Sequence, residues 1–583
     1  LDKYLSFKII YHEIEIKPKT PLISQYFQNS LFHQQLTYRY ALGGASWHTA
    51  CNKPDITREK NEKEMKMVNT SLFQSIKGKF LPAADAKNFH QAPAYALSPK
   101  HRLAQYAATG CLNATYYANA EAQLATVLKL CKEVDAQFIA QTAIYCRERG
   151  YMKDMPALLT AVLAGKGATS LSPTFQRVID NGKMLRNFVQ ILRSGAVGRK
   201  SLGTRPKKLV QAWLNSASEK QLLSAAVGNT PSLADVVKMV HPKPTEPWRE
   251  AFFAWLIGKE YKADALPPIV RAFEAYKNDR SQPIPEVPFQ MLTALDLPAE
   301  AWAQIARQSG WHMVRMNLNT FARHGVFALP GMMEIIADKL RDPLAIAKAK
   351  VFPYQLLSAY KATGNDVPQA VRDALQDAME IALSNVPQIA GKLVVCPDVS
   401  GSMSSPVSGH RGTATSAARC IDVAALFGAA LLRNNADAVV MPFETDVVNC
   451  DLNRRDSVMT NAQKLAAIGG GGTNCSAPLA RLNAKKAQAD LIVLVSDNES
   501  WVDANRRGAT ATMREWEVFK QRNPNAKLVC IDIAPHGTTQ AMERDDILNV
   551  GGFSDDVFKI VAAFAAGQLS SAHWVGEIES IAL

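Results

Sequence analysis

Asp398, Ser400 and Ser402 alternate along one short stretch, DVSGS, so that a carboxylate and two hydroxyls can converge on a single point. Downstream, a glycine run from Gly469 to Gly472 leads into Thr473, and an apolar segment ends on Asp497. Together these five residues offer two carboxylates and three hydroxyls, all hard oxygen donors. A cation such as Mg²⁺ takes six oxygens in octahedral geometry and usually keeps several of them as water. A divalent cation, most naturally Mg²⁺, is therefore the expected cofactor. With so few charged ligands it would retain positive character and an open position for an acidic group from a partner. The competing reading is that Ser400 and Ser402 cap the next helix and the glycines form a plain loop. A phosphate-binding P-loop is disfavoured, because GGGGTN lacks the Gly-Lys-Ser/Thr ending that supplies the phosphate-contacting lysine.

A second set of residues is cationic. Arg199, Lys200, Arg205, Lys207 and Lys208 cluster in GRKSLGTRPKKLVQAW, where Gly, Ser, Thr and Pro suggest a loop leading into a helix. Lys238, His241 and Lys243 follow in SLADVVKMVHPKP. Such groups suit phosphate contacts, which fix register and affinity but carry little sequence information. The plain alternatives are a solvated surface for the cluster and a helix-end histidine favoured by the dipole for His241. The charge distribution bears on the choice. The chain carries +13 overall. Residues 391–583 hold 18 Lys/Arg against 21 Asp/Glu, so residues 1–390 hold 48 against 32, a net of +16. A basic field of that size favours a polyanion, with nucleic acid ahead of an anionic membrane.

The elements that must position these groups are legible. From about 67 to 385 the pattern is helical, in segments of roughly 10–18 residues broken by Gly, Pro and Asn. In PSLADVVKMVHPKP, Ser232 and Asp235 form a capping-box arrangement. Leu233, Val236, Val237 and Val240 make one apolar stripe, and Pro242 and Pro244 stop the helix. Repeated short amphipathic helices suggest stacked pairs in a solenoid-like array, although no strict period is visible. At about Gly391 the character changes. KLVVC (392–396), AVVMPF (438–443), LIVLVS (491–496) and LVCIDI (528–533) read as buried parallel strands. Helical stretches at 419–434 and 513–523 lie between them, the pattern of a doubly wound α/β sheet. Ligands of that fold gather at the carboxyl ends of the strands, where Asp398 and Asp497 fall.

The bulk properties set bounds. At 583 residues, with 47% apolar and 20% charged residues, the chain has material for two to four globular domains. No apolar run of about 18 residues is present, so no membrane span is expected. No secretory signal is evident either. Nine cysteines occur singly, without CxxC or Cys/His clusters, so neither zinc nor a disulfide framework is indicated and a cytoplasmic setting fits. Residues 1–66 differ from the rest, and the expectation is that they form an atypical leader, with Met65 or Met67 as the native start.

The combination of blocks resembles the Ro ribonucleoprotein family, specifically its bacterial members. The residues carrying the likeness are LSPKHRLAQYAATGCLNATYY (97–117), SLADVVKMVHPKP (232–244), DVSGSM (398–403), GGTNCSAPL (471–479), SDNESW (496–501) and AKLVCIDI (526–533). It extends from about residue 67 to about 570. The resemblance implies a TROVE domain over 67–388, an all-α ring of HEAT-like helical repeats. It also implies a Rossmann-like von Willebrand factor A domain over 389–583, in which Asp398, Ser400, Ser402, Thr473 and Asp497 form the metal-ion-dependent adhesion site. It further implies binding of small noncoding Y RNA on a basic outer surface and of single-stranded ends of misfolded RNA in the central cavity. Polynucleotide phosphorylase is the partner expected for RNA quality control. His241 matches a family position implicated in Y RNA contact. The family's basic residues just upstream are not matched here, where the stretch reads SAAVGNTPS.

Three functions fit these residues. The leading one is an RNA-binding scaffold that is not an enzyme. The alternative is a metal-dependent protein-interaction module in which the basic region is incidental. A metal-dependent nuclease or phosphoryl-transfer enzyme is least favoured, because two-metal catalysis wants several clustered carboxylates and this site offers two.

Overall fold

The computed structural model describes residues 81–109, 118–349, 351, 353–407, 418–502, 508–552, 554–569 and 572–583. The leader at 1–66, its alternative starts Met65 and Met67, and the Thr-Tyr-Tyr of 115–117 lie outside the described residues. All that is described falls in one compact unit, Phe80–Leu583.

Between Pro99 and Asn385 the described residues are essentially helix after helix. Local chemistry starts many of them. Asn119 and Asp135 accept from the backbone N–H three residues on, at the starts of Ala120–Glu133 and Ala136–Glu148. Ser218 with Gln221, and Ser232 with Asp235, close reciprocal capping boxes. Helix Asp154–Lys166 is buried from Met155 to Ala164, because it is packed by Ala136–Glu148 on one side and Gly182–Ser194 on another. Near the far end, Met332–Arg341 and Pro353–Ala362 pack on Gln369–Ala382. Helices packing on their neighbours in this way are the stacked pairs expected.

The α/β domain is built on a five-stranded parallel sheet. Its strands are β3 (Leu393–Pro397), β4 (Ala438–Val440), β5 (Leu491–Ser496), β6 (Lys527–Asp532) and β8 (Ile547–Gly551), in the order β4-β3-β5-β6-β8. The central strands β3 and β5 and the edge strand β8 are buried along their whole length, and β6 along all but its first residue, as strands covered by helices on both faces must be. Strand order reverses between β3 and β5, the topological switch point where doubly wound sheets hold ligands. The expected strand at 438–443 is shorter, since only Ala438–Val440 pairs continuously before Phe443 makes an isolated bridge to Asp398. Strand β8 was not among the expected strands.

Two features join the regions. A hairpin of β1 (Ala86–Lys87) and β2 (Pro93–Ala96) pairs with β7 (Thr538–Thr539), so residues assigned to the helical region extend a small sheet in the α/β domain. The helical array also touches that domain at both ends. Pro99–Thr109 packs on β8, and Ala136–Glu148 packs on the C-terminal helix His573–Glu579. At the other end, Pro353–Ala362 packs on Cys420–Asn434, and Gln369–Ala382 packs on Val458–Ala466. The array is thereby closed through the α/β domain. No helix among the described residues is long and apolar enough to cross a membrane.

Candidate metal centre and nucleic-acid interface

The five oxygen-bearing residues meet at the switch point. Asp398 follows β3 directly and Asp497 follows β5, and both are buried with Ser400 and Thr473, while Ser402 is partly exposed. Backbone bonds tie the three loops together. Asp398 N donates to Val495 O, Gly401 N to Gly471 O, Gly470 N to Val399 O and Trp501 N to Thr473 O. Gly471 adopts φ +68°, and a Cβ there would collide with the Glu444 side chain, so this turn requires glycine.

The hydroxyls are spaced as a cation would need. Thr473 Oγ1 lies 3.1 Å from Ser400 Oγ, which lies 3.4 Å from Ser402 Oγ. Neighbouring vertices of an octahedron with bonds of ~2.1 Å are about 3 Å apart. Asp398 is held by Ser400 N at 2.8 Å and by Ser496 Oγ at 2.5 Å. Burial, and then the nearby Asp497 carboxylate, push Asp398 up to about 7. Two buried acids near enough to act on one another, one of them bonded to the Ser400 side chain, are with these hydroxyls a donor set that a divalent cation would neutralise. Among the described residues no group of three or more His, Cys, Asp or Glu could hold a metal, so a cation here depends on the hydroxyls. Behind the loop, burial raises Glu499 to about 8 and lowers His536 to about 4, and His536 Nδ1 lies 3.3 Å from Glu499 Oε1.

The two cationic segments, separate in sequence, are neighbours in space. Helix Thr204–Ser216 lies beside Leu233–Val240, and Gln211 Nε2 donates to Val240 O at 2.6 Å and to His241 O at 3.2 Å. Asn215 Nδ2 reaches Lys243 O at 3.4 Å. His241 is the C-cap of its helix at φ +51°, with an exposed side chain. Buried Arg186 fixes the preceding loop through Pro231 O and Val227 O. A cleft of about 690 Å³ opens over the start of Thr204–Ser216, lined by Arg193, Lys200, Thr204, Lys207, Lys208 and Gln211 among others. Arg193 was missed from sequence because it lies in a different helix, Gly182–Ser194.

Not every predicted cation faces this cleft. Arg199 Nη1 donates to Ala164 O at 2.8 Å, and Arg205 donates to Ala168 O and Thr169 O, both at 2.7 Å. Both guanidiniums thus satisfy carbonyls at the end of helix Asp154–Lys166. Lys200, Lys208, Lys238 and Lys243 are exposed and Lys207 is partly so.

A closed helical array joined to a von Willebrand factor A-type domain, with an oxygen-rich site at the switch point, defines the class of this protein. Residues 392–565 match the Ro60 vWA domain. The chain is 25% identical over 515 residues to the RNA-binding protein RO60 of Deinococcus radiodurans, covering 82% of this chain and 94% of that one. It is 22% identical over 250 residues to the RNA-binding protein RO60 of Caenorhabditis elegans, 40% of this chain and 37% of the relative. In fold it matches the crystal structure of the Deinococcus radiodurans RO (RSR) protein with a TM-score of 0.57 at 21% identity, over 81% of this chain and 100% of that one. The resemblance to the Ro family read from the sequence is borne out.

Proposed function

We propose that this protein is an RNA-binding scaffold of a small ribonucleoprotein rather than an enzyme. The observation that carries the reading is the cleft uniting Arg193, Lys200, Lys207 and Lys208, with Lys238 and Lys243 close by across Gln211 and Asn215. Among the described residues none of these six cations is in an ion pair, and although the Asp235 carboxylate acts on Lys238 and Arg193 the cleft keeps a net positive charge for phosphates. The two relatives carry the name RNA-binding protein, which supports RNA as the polyanion. A helix flank with cations on both sides and few aromatics suits the backbone of a structured, duplex RNA of the Y RNA kind. Single-stranded ends of misfolded RNA and an exoribonuclease such as polynucleotide phosphorylase complete the reading. The metal centre takes Mg²⁺ through Asp398, Ser400, Ser402, Thr473 and Asp497.

The test is to sequence the RNA that co-purifies with the native protein beside a Lys207→Glu/Lys208→Glu variant. These lysines are chosen over Arg199 and Arg205, whose replacement would also remove hydrogen bonds to the carbonyls of Ala164, Ala168 and Thr169. One abundant structured RNA, lost in the variant, is the expected result. Affinity for that RNA should fall steeply with salt, and each lost phosphate contact should reduce the log–log slope by about 0.9. Absence of any enriched RNA at low salt, with partner protein released by chelator, would replace this reading by a metal-dependent protein-interaction module.

A further inference from the structure

The basic cleft over the start of helix Thr204–Ser216 is a hollow, which a surface that only follows a duplex does not need to be. Its volume of about 690 Å³ is that of a site enclosing a discrete group. Cations reach it from three places in the chain. Arg193 comes from the last turn of Gly182–Ser194, Lys200 from the intervening loop, and Lys207 and Lys208 from the helix itself. No Asp or Glu lines the cleft, and Asp235, whose charge is felt at Arg193, lies outside the lining. Ser201 and Thr204 add hydroxyls to the same wall. The helix start adds donors of another kind. Its N-cap, Gly203 at φ +70°, has no side chain to cap the first turn. The Thr204 and Arg205 N–H groups have no partner among the described residues, and Pro206 has no N–H. A Cβ at Gly203 would stand 2.6 Å from Arg199 Nη2, so a fifth cation backs this turn while it is tied to Ala164 O. Ammoniums, hydroxyls and N–H groups directed at one hollow form a cradle for a group with more than one negative charge.

We propose, resting on the RNA-binding reading above, that this cleft seats the phosphorylated 5′ end of the bound RNA, while Lys238 and Lys243 hold the backbone of the adjoining stem. Charge favours a terminal over an internal phosphate. Each internal phosphodiester carries a single negative charge, and successive ones are strung along the outside of a helix. Four cations gathered in one hollow exceed what one of them delivers. A terminal monophosphate carries about −1.5 to −2 at pH 7, and a triphosphate carries more. Shape points the same way, because an end enters a hollow that the cylindrical wall of a duplex only spans. A 3′ end with free hydroxyls brings no charge for the cradle to hold. A free nucleoside triphosphate carries the same group but lacks the stem that Lys238 and Lys243, outside the cleft lining, would engage.

The probe is one short RNA hairpin made with a 5′-triphosphate, a 5′-monophosphate or a 5′-hydroxyl, titrated into the full-length protein. Wild type is expected to bind the triphosphate form about tenfold or more tighter than the hydroxyl form, with the monophosphate between. The salt dependence of the triphosphate form should be steeper by about 0.9 in log–log slope for each added charge that is neutralised. Lys207→Ala/Lys208→Ala should bring the three forms to one affinity. Lys238→Ala/Lys243→Ala should weaken all three alike and keep their ranking, a contrast that partial unfolding would not produce. ATP should displace the triphosphate hairpin only at a concentration roughly tenfold or more above that of unlabelled hairpin. Equal potency of ATP would assign the cleft to a free nucleotide and overturn the proposal. A preference for the triphosphate that survives Lys207→Ala/Lys208→Ala would also overturn it. Equal affinity of wild type for all three hairpins would overturn it while leaving the scaffold reading in place. Failure of all three to bind at low salt would overturn both.

Discussion

Thr473 shows how much rests on one hydroxyl. Its Oγ1 meets Ser400 Oγ at 3.1 Å inside a buried loop, and it contributes to the centre without adding charge. In EDTA, Thr473→Ala should cost only about 1 kcal/mol, the net worth of an ordinary hydrogen bond. In Mg²⁺ the difference should widen. At a hundred times the dissociation constant the ion stabilises wild type by about 2.7 kcal/mol, and a tenfold weaker site would gain only about 1.4 kcal/mol. Calorimetric titration with Mg²⁺ and melting with and without it check both numbers; an undiminished Mg²⁺ response in the variant would remove Thr473 from the ligand set. The five oxygen residues were legible in sequence because each follows a strand or a glycine turn that fixes where it points. The contact of the 88–89 segment with the loop after β5 was not: Asn88 Nδ2 donates to Ser500 O and Phe89 N to Glu499 Oε2 across some 410 positions, and nothing local to either segment announces the other.

Among the elements, the helix Cys420–Asn434 depends on a buried acid at its first turn. Asp422 is 1% exposed, receives Lys361 Nζ at 2.6 Å from the helix Pro353–Ala362, and pairs with Arg419 at 2.9 Å. Burial alone would raise its carboxyl, but the hydrogen bonds from Arg419 and Lys361 outweigh this and hold it below the usual range. A lowered folded value means that the ionised acid contributes stability above its unfolded value of about 3.9, and that this is lost as pH falls through the folded value. Asp422→Asn should therefore cost about 3 kcal/mol at pH 7, by leaving two cations without their partner. Its penalty should shrink in denaturant titrations taken toward pH 3, and a penalty independent of pH would show that the pair is not what joins these helices. Element types were readable where periodicity was clean, as at Leu233, Val236, Val237 and Val240, all buried. Strand β8 escaped because ILNVG carries a polar residue mid-strand. Asn549 sits buried there, accepting from Thr539 Oγ1 at 2.9 Å and donating to Ala541 O at 3.1 Å. A tertiary partner thus offsets a cost that local sequence reads as a break.

At the scale of the molecule, closure of the helical array rests on the last twelve residues. Trp574 is fully buried, edge-on to His101 and Tyr145, and Tyr145 donates its hydroxyl to Asp556 at 2.6 Å. Around this apolar anchor the seam is polar. Lys100 pairs with Glu579 at 2.6 Å, Arg149 with Glu577 at 3.2 Å, and Gln141 donates to the carbonyls of Glu579 and Ile581. Gln105 reaches buried Asp532 at 2.6 Å. Exposed ion pairs contribute little each, so Trp574 and its contacts dominate the closing energy. The opposite end of the array runs directly into β3 and needs no such clasp. Trp574→Ala should cost about 3–5 kcal/mol, the range for emptying a buried tryptophan site. That loss should appear at the seam before the whole fold. In hydrogen exchange, amides of Pro99–Thr109 and Ala136–Glu148 should lose protection while those of Met332–Arg341 and Gln369–Ala382 keep theirs. RNA held by the basic cleft should survive this opening, because Thr204–Ser216 and Leu233–Val240 lie away from the seam. RNA that needs an enclosed cavity should dissociate faster. Uniform loss of protection in all four helices would mean that the array and the α/β domain unfold as one cooperative unit, and that closure is a condition of folding rather than a gate.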